Sequence, residues 1–135
     1  MANGKKVLVA EDDPDIRNLI VYSLQFAGFN VVEATNGVEA MTVAQAEKPD
    51  IILLDVRMPK MSGYEVCAEL KSQAATQSIP VVFLSARGQE AEIKHGLELG
   101  AEEYIIKPFA PDELQRRVTS IVERRERGKG HQQSW

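Results

Sequence analysis

Thiols are all but missing from this sequence: Cys67 is the only cysteine in 135 residues. An internal disulfide is thereby excluded, and a lone thiol fits a reducing compartment. A basic excess is missing too. The net charge is −4, whereas a segment that grips nucleic acid ordinarily carries a basic face. No apolar run approaches the roughly 20 residues that a membrane-spanning helix needs. The opening "MANGKK" has no apolar stretch behind it of the kind a signal peptide requires. Internal repeats, a linker and a second hydrophobic core are not found either. These absences leave the expectation of one cytoplasmic domain with no membrane attachment. A chain of this length buries roughly two-thirds of its unfolded surface and needs no covalent staples.

What is present is an alternation. "KKVLVA" (5–10), "NVVEAT" (30–35), "DIILL" (50–54), "PVVFL" (80–84) and "EYIIK" (103–107) read as five strands. Three of them are nearly continuous apolar runs, as expected of strands covered on both faces. Helical patterns lie between them. In the first helix Ile16, Leu19, Ile20 and Leu24 form an apolar stripe, with Asp13 as N-cap and Pro14 at the first helical position. Asn36 to Glu39 and Ser62 to Glu65 have capping-box spacing at the starts of the second and third helices. The fourth helix falls within 88–99 and stops at Gly100, and the fifth carries Leu114, Val118, Ile121 and Val122 on one face. From 124 the chain turns polar, and 125–135 is expected to form a flexible tail. Strict βα alternation predicts an α/β fold, a doubly wound five-stranded parallel sheet with helices on both faces.

In open sheets of this kind, sites form beyond the carboxyl ends of the strands. The first strand delivers Glu11, Asp12 and Asp13 there, the third Asp55, the fourth Ser85, and the fifth Lys107 followed by Pro108. Each has a bland reading alone: Asp13 as a helix cap, Ser85 as a turn residue, Lys107 as a solvated edge lysine. Their joint occurrence at four of five strand ends is what points to a site. Carboxylates crowded together repel one another unless a cation sits among them, and an all-oxygen donor set suits a hard divalent ion such as Mg²⁺.

The blocks "VLVAEDDPDIR", "IILLDVRMPKMSG", "PVVFLSA" and "GAEEYIIKPF" resemble, in order and spacing, the signature blocks of bacterial response-regulator receiver domains, close in fold to the chemotaxis receivers. The resemblance covers 5–124 and implies a flavodoxin-like (βα)5 fold of strand order 2-1-3-4-5, an order that alternation alone does not fix. It implies that Asp55 is the phosphoacceptor for a histidine kinase or phosphotransfer protein, in a two-component phosphorelay. It further implies Mg²⁺ bound by Asp12, Asp55, the backbone carbonyl of Arg57 and, through water, Glu11. Lys107 would neutralise the phosphoryl oxygens, Ser85 and Tyr104 would form the switch, and the Lys107–Pro108 bond would be cis. Such a chain accepts a phosphoryl group and loses it slowly; it is not a turnover enzyme.

By the same resemblance, phosphorylation alters the face built by the fourth helix, fifth strand and fifth helix, which then binds a protein partner. A single-domain regulator, monomeric or weakly dimeric when phosphorylated, is one expectation. The alternative is the receiver part of a longer winged-helix DNA-binding regulator. Glu98, Glu102, Glu103, Glu113 and Arg117 fit the dimerising face of that subfamily, while Ile93 and Thr119 stand where it usually carries basic residues. An Mg²⁺-dependent phosphatase of the haloacid-dehalogenase type also uses a strand-end aspartate. It places a second aspartate two residues on, where this chain has Arg57. Flavin binding lacks support because no Ser/Thr/Gly-rich loop follows the first strand. Arg57 and Arg87 are placed on the rim of the site.

Overall fold

The computed structural model describes the backbone of residues 4–133 and the side chains of residues 4–127. Ten elements alternate without exception: β1 Lys6–Ala10, α1 Pro14–Phe26, β2 Asn30–Ala34, α2 Gly37–Glu47, β3 Ile51–Asp55, α3 Gly63–Ser72, β4 Val81–Ser85, α4 Glu90–Glu98, β5 Glu103–Ile106 and α5 Pro111–Gln133. All strands are parallel, in the order β2-β1-β3-β4-β5. The order in which strands are added reverses between β1 and β3, and this puts a crevice above their carboxyl ends, which is where Glu11 and Asp55 emerge.

Successive strand residues point to opposite faces, and the core divides accordingly. Val7, Val9, Ile51, Leu53, Val82, Leu84 and Ile105 pack with α1 and α5 through Ile20, Leu24, Leu114, Val118 and Ile121. Leu8, Ala10, Ile52, Leu54, Val81 and Phe83 pack on the other face with α2 and α3 through Ala40, Ala44, Val66, Cys67 and Leu70. Every residue of β3 and β4 is buried. Asp55 and Ser85, the last residues of those strands, are therefore carried on strands buried along their whole length.

The helix starts follow the expected chemistry with one change. Asp13 accepts from the N–H groups of Asp15 and Ile16 at 2.9 and 3.2 Å, ahead of Pro14. Ser62 and Glu65 close a full capping box on α3. On α2 the box is displaced: Asn36 accepts from Glu39 N–H, but the Glu39 carboxylate takes the N–H of Thr35, one residue before the cap. Gly100 follows α4 with φ of 105°, the left-handed turn a helix-ending glycine supplies.

Two expectations are corrected. Leu19 is 49% exposed, and Val21 and Ser23 lie buried beside Ile20 and Leu24 instead. At 3.6 residues per turn these four cluster on one side, and Leu19 falls outside the buried arc. The backbone is also helical rather than irregular over 125–133, while 134–135 of the expected tail lie outside the described residues. The helix α5 runs unbroken to Gln133. Just past 124 it is paired with residues remote in sequence, Arg125 with Glu102 at 2.6 Å and Glu126 with Lys5 at 2.8 Å. Among the described residues, no helix is long and apolar enough to cross a membrane.

Candidate functional site

Three strand ends meet above the crevice. Glu11 and Asp12 lie just past β1, Asp55 ends β3, and Lys107 directly follows β5, its own bond to Pro108 being cis. One carboxylate oxygen from each of Glu11, Asp12 and Asp55 lies within 4.8 Å of the others. The Lys107 Nζ donates to Glu11 Oε1 at 2.7 Å and stands 3.2 Å from Asp55 Oδ1. Glu11 and Asp55 are buried, whereas Asp12 is exposed at the mouth.

The backbone fixes each of these groups. Val56 N–H donates to the Leu84 carbonyl at 3.0 Å, so the chain beyond Asp55 is still tied to β4. Lys107 N–H donates to the Ser85 carbonyl at 2.7 Å, and Glu11 N–H to the Ala34 carbonyl at 3.1 Å. Behind the cluster, Arg17 donates to the Glu11 carbonyl at 2.9 Å. Asp13 N–H donates to Glu11 Oε2 at 3.2 Å. Both oxygens of Glu11 are thus engaged, which holds its longer side chain in place.

Burial pushes the Asp55 carboxyl above its ordinary range, and the neighbouring Glu11 and Lys107 pull it back without cancelling the effect. Burial likewise pushes Glu11 up, opposed by the Lys107 hydrogen bond and reinforced by Asp55. For Lys107, burial works against the charged amine, but the bonds to Glu11 and the charge of Asp55 outweigh it and hold the amine above its ordinary value. The site thus carries more buried negative charge than one lysine neutralises. Three carboxylates with an exposed side toward solvent fit a hard divalent cation, which would relieve that excess with oxygen donors alone.

Ser85 is at the same edge, one residue beyond the Leu84 that registers with Asp55. Its Oγ accepts from Arg87 N–H at 3.0 Å, so its role as a turn residue is real. A hydroxyl that accepts still has a proton to donate. Arg57 is exposed, while Arg87 leans away toward α4 and pairs with Glu92 at 3.5 Å.

Tyr104 is not at this edge. It registers with Phe83 inside the sheet and is 7% exposed, with its ring turned inward. Room for it comes from Gly96, where a Cβ would lie 3.0 Å from the Tyr104 ring and 2.9 Å from that of Phe83. The Tyr104 hydroxyl is 3.3 Å from that of Tyr64, which donates to Glu92 Oε2 at 2.8 Å. Tyr64 and Glu92 are participants that the sequence did not reveal. They lie on α3 and α4, 28 residues apart, and neither belongs to a strand-end motif.

Comparison with known proteins agrees with this geometry. The family described as "Response regulator receiver domain" matches residues 7–119. Over 124 residues, 92% of this chain, it is 44% identical to a probable transcriptional regulator, ycf27, of Cyanophora paradoxa, covering 51% of that protein. It is 43% identical, over 91% of its length, to the alkaline phosphatase synthesis transcriptional regulatory protein PhoP of Bacillus subtilis, covering 50% of it. The chain therefore spans about half the length of these curated relatives. Among solved structures, the receiver domain of a sensor histidine kinase from Pseudomonas aeruginosa PAO1 superposes with a TM-score of 0.82 at 29% identity. That match covers 89% of this chain and 98% of the other, which has a magnesium ion coordinated in its active-site cleft.

Proposed function

The chain belongs to the response-regulator receiver-domain family, and from that premise we propose that Asp55 accepts a phosphoryl group from the phosphohistidine of a histidine kinase or phosphotransfer protein in the cytoplasm. The observation that carries this reading is the buried Asp55 carboxylate, 3.2 Å from Lys107 Nζ and beside Glu11 and Asp12. A carboxylate is a weak nucleophile, so transfer rests on positioning and on neutralising the phosphoryl oxygens. An Asp55 oxygen forms the new P–O bond as the P–N bond to imidazole breaks. The imidazole keeps the electron pair and takes a proton from solvent. Lys107 faces the oxygens that gather charge. Mg²⁺, when bound, supplies the remaining positive charge; Asp12, Asp55, the Arg57 carbonyl and, through water, Glu11 would hold it. The Ser85 hydroxyl can donate to a phosphoryl oxygen while it continues to accept from Arg87 N–H.

The output face is built by α4, β5 and α5, with Tyr104 behind it. A second reading of the output, that this receiver serves a longer winged-helix DNA-binding regulator, is favoured over the single-domain expectation by one observation. The two curated relatives are named transcriptional regulators, and about half of each is matched. An open reading frame continuing past Trp135 into such a domain selects it.

The acceptor reading and the phosphatase reading differ in stoichiometry. With excess phosphorylated kinase, an acceptor takes up one phosphoryl group per chain and then releases phosphate slowly. Rapid, continuing release of phosphate over many turnovers would sink the acceptor reading.

A further inference from the structure

The loop that follows Asp55 is pinned by a helix that contributes no chemical group to the site. Gly63 N–H donates to the Val56 carbonyl at 2.9 Å, so residues 57–62 leave and rejoin the sheet edge at one fixed place. Within that span Lys60 has φ of 72°, a left-handed backbone that a non-glycine residue adopts only under constraint. Met61 N–H donates to the Pro59 carbonyl at 2.8 Å and closes a tight three-residue turn around Lys60. The same Pro59 carbonyl accepts the N–H of Gly37 at 3.3 Å. Gly37 is the first residue of α2. The opening N–H groups of a helix lack partners within it and carry the positive end of its dipole. Here one of them is used to hold the loop.

The contact leaves no space for a side chain. A Cβ at position 37 would overlap the carbonyl oxygen and Cβ of Met61 and lie 2.6 Å from its carbonyl carbon. Two of those three atoms are backbone, so no rotamer change relieves the clash. Either α2 or the turn at 59–61 must move, and α2 is anchored through Ala40 and Ala44, which are fully buried against the sheet.

Resting on the reading above, we infer that Gly37 is a positioning residue for metal binding. By admitting the Pro59–Met61 turn against α2, it sets where the Arg57 carbonyl, two residues upstream, sits relative to Asp55. Groups that orient a metal's ligands typically matter by about 10–100-fold in affinity.

The test is a calorimetric Mg²⁺ titration of the whole chain as wild type, Gly37→Ala, Ala44→Gly and Asp12→Asn. Ala44→Gly weakens the same helix without touching the loop. The titrations are run in the cold with an excluded osmolyte, which keeps a destabilised variant folded, and circular dichroism checks the helix content. Gly37→Ala should lose about tenfold or more in Mg²⁺ affinity, with Ala44→Gly close to wild type. Wild-type affinity in Gly37→Ala overturns the inference, as does an equal loss in Ala44→Gly, which would reduce the effect to helix stability. If Asp12→Asn binds Mg²⁺ as wild type does, the failure belongs to the functional reading instead.

Discussion

Asp55, the proposed acceptor, is held against its own preference for water. Burial pushes its carboxyl above the ordinary range, and the nearby lysine does not fully compensate. Its folded pKa therefore exceeds its unfolded one, so the folded chain binds more protons across that window. Stability accordingly falls as pH rises from the ordinary carboxylate value, about 4, through the folded value, and the full cost is present above it. Replacing Asp55 with Asn removes this titration. Thermal melts in the absence of divalent ions should show Asp55→Asn melting a few degrees above wild type at neutral pH, with the gain shrinking to nothing near pH 4. A gain independent of pH, or a loss at neutral pH, would contradict the assigned cause. Glu11, Asp55, Ser85 and Lys107 were legible in the sequence because each ends or directly follows a strand whose apolar run announces it. Tyr64 and Glu92 were not, because a helix-to-helix hydrogen bond leaves no periodic trace.

At the scale of elements, α3 and α4 are tied through that unannounced pair. Tyr64 bonds Glu92, stands 3.3 Å from the Tyr104 hydroxyl, and packs edge-on against Phe83 at a centroid distance of 5.0 Å. Glu92 in turn pairs with Arg87, whose N–H is held by Ser85. A continuous set of contacts thus joins the site's hydroxyl to the inward aromatic ring. Tyr64→Phe keeps the packing and deletes the hydroxyl. It should cost about 1.5–3 kcal/mol, the range for a hydrogen bond to a charged group, and should raise the reactivity of Tyr104 toward nitration, mapped by peptide mass. Unchanged reactivity would mean that packing alone holds the ring. Boundaries of elements were less legible than their kinds. The polar composition after 124 suggested a loose tail, yet Arg125 and Glu126 bond to Glu102 and Lys5, charges remote in sequence. Long-range pairing of this sort cannot be read from local composition.

For the whole molecule, alternation of five strands and five helices was enough for a parallel sheet covered on both faces. Strand order was not, because it depends on crossover choices that no single element records, and it followed only from the family resemblance. The proposed output face shows a similar limit. Glu103 pairs with Arg117 at 2.7 Å and Glu102 with Arg125 at 2.6 Å within the chain. A dimer built on this face would exchange these bonds for equivalent ones and gain chiefly the burial of Leu97 and Ile106, both partly exposed. Sedimentation should therefore show a monomer without phosphoryl groups, and phosphorylated chains associating more weakly than about 1 μM. A tight dimer in the unphosphorylated protein would contradict this. The central claim, that Asp55 is the phosphoacceptor, is tested most directly by incubating the chain with a small-molecule phosphodonor and Mg²⁺ and mapping the label. The expected result is one acid-labile, hydroxylamine-sensitive phosphoryl group on Asp55 in the wild type and none in Asp55→Asn; labelling of Asp55→Asn at the wild-type rate would contradict it.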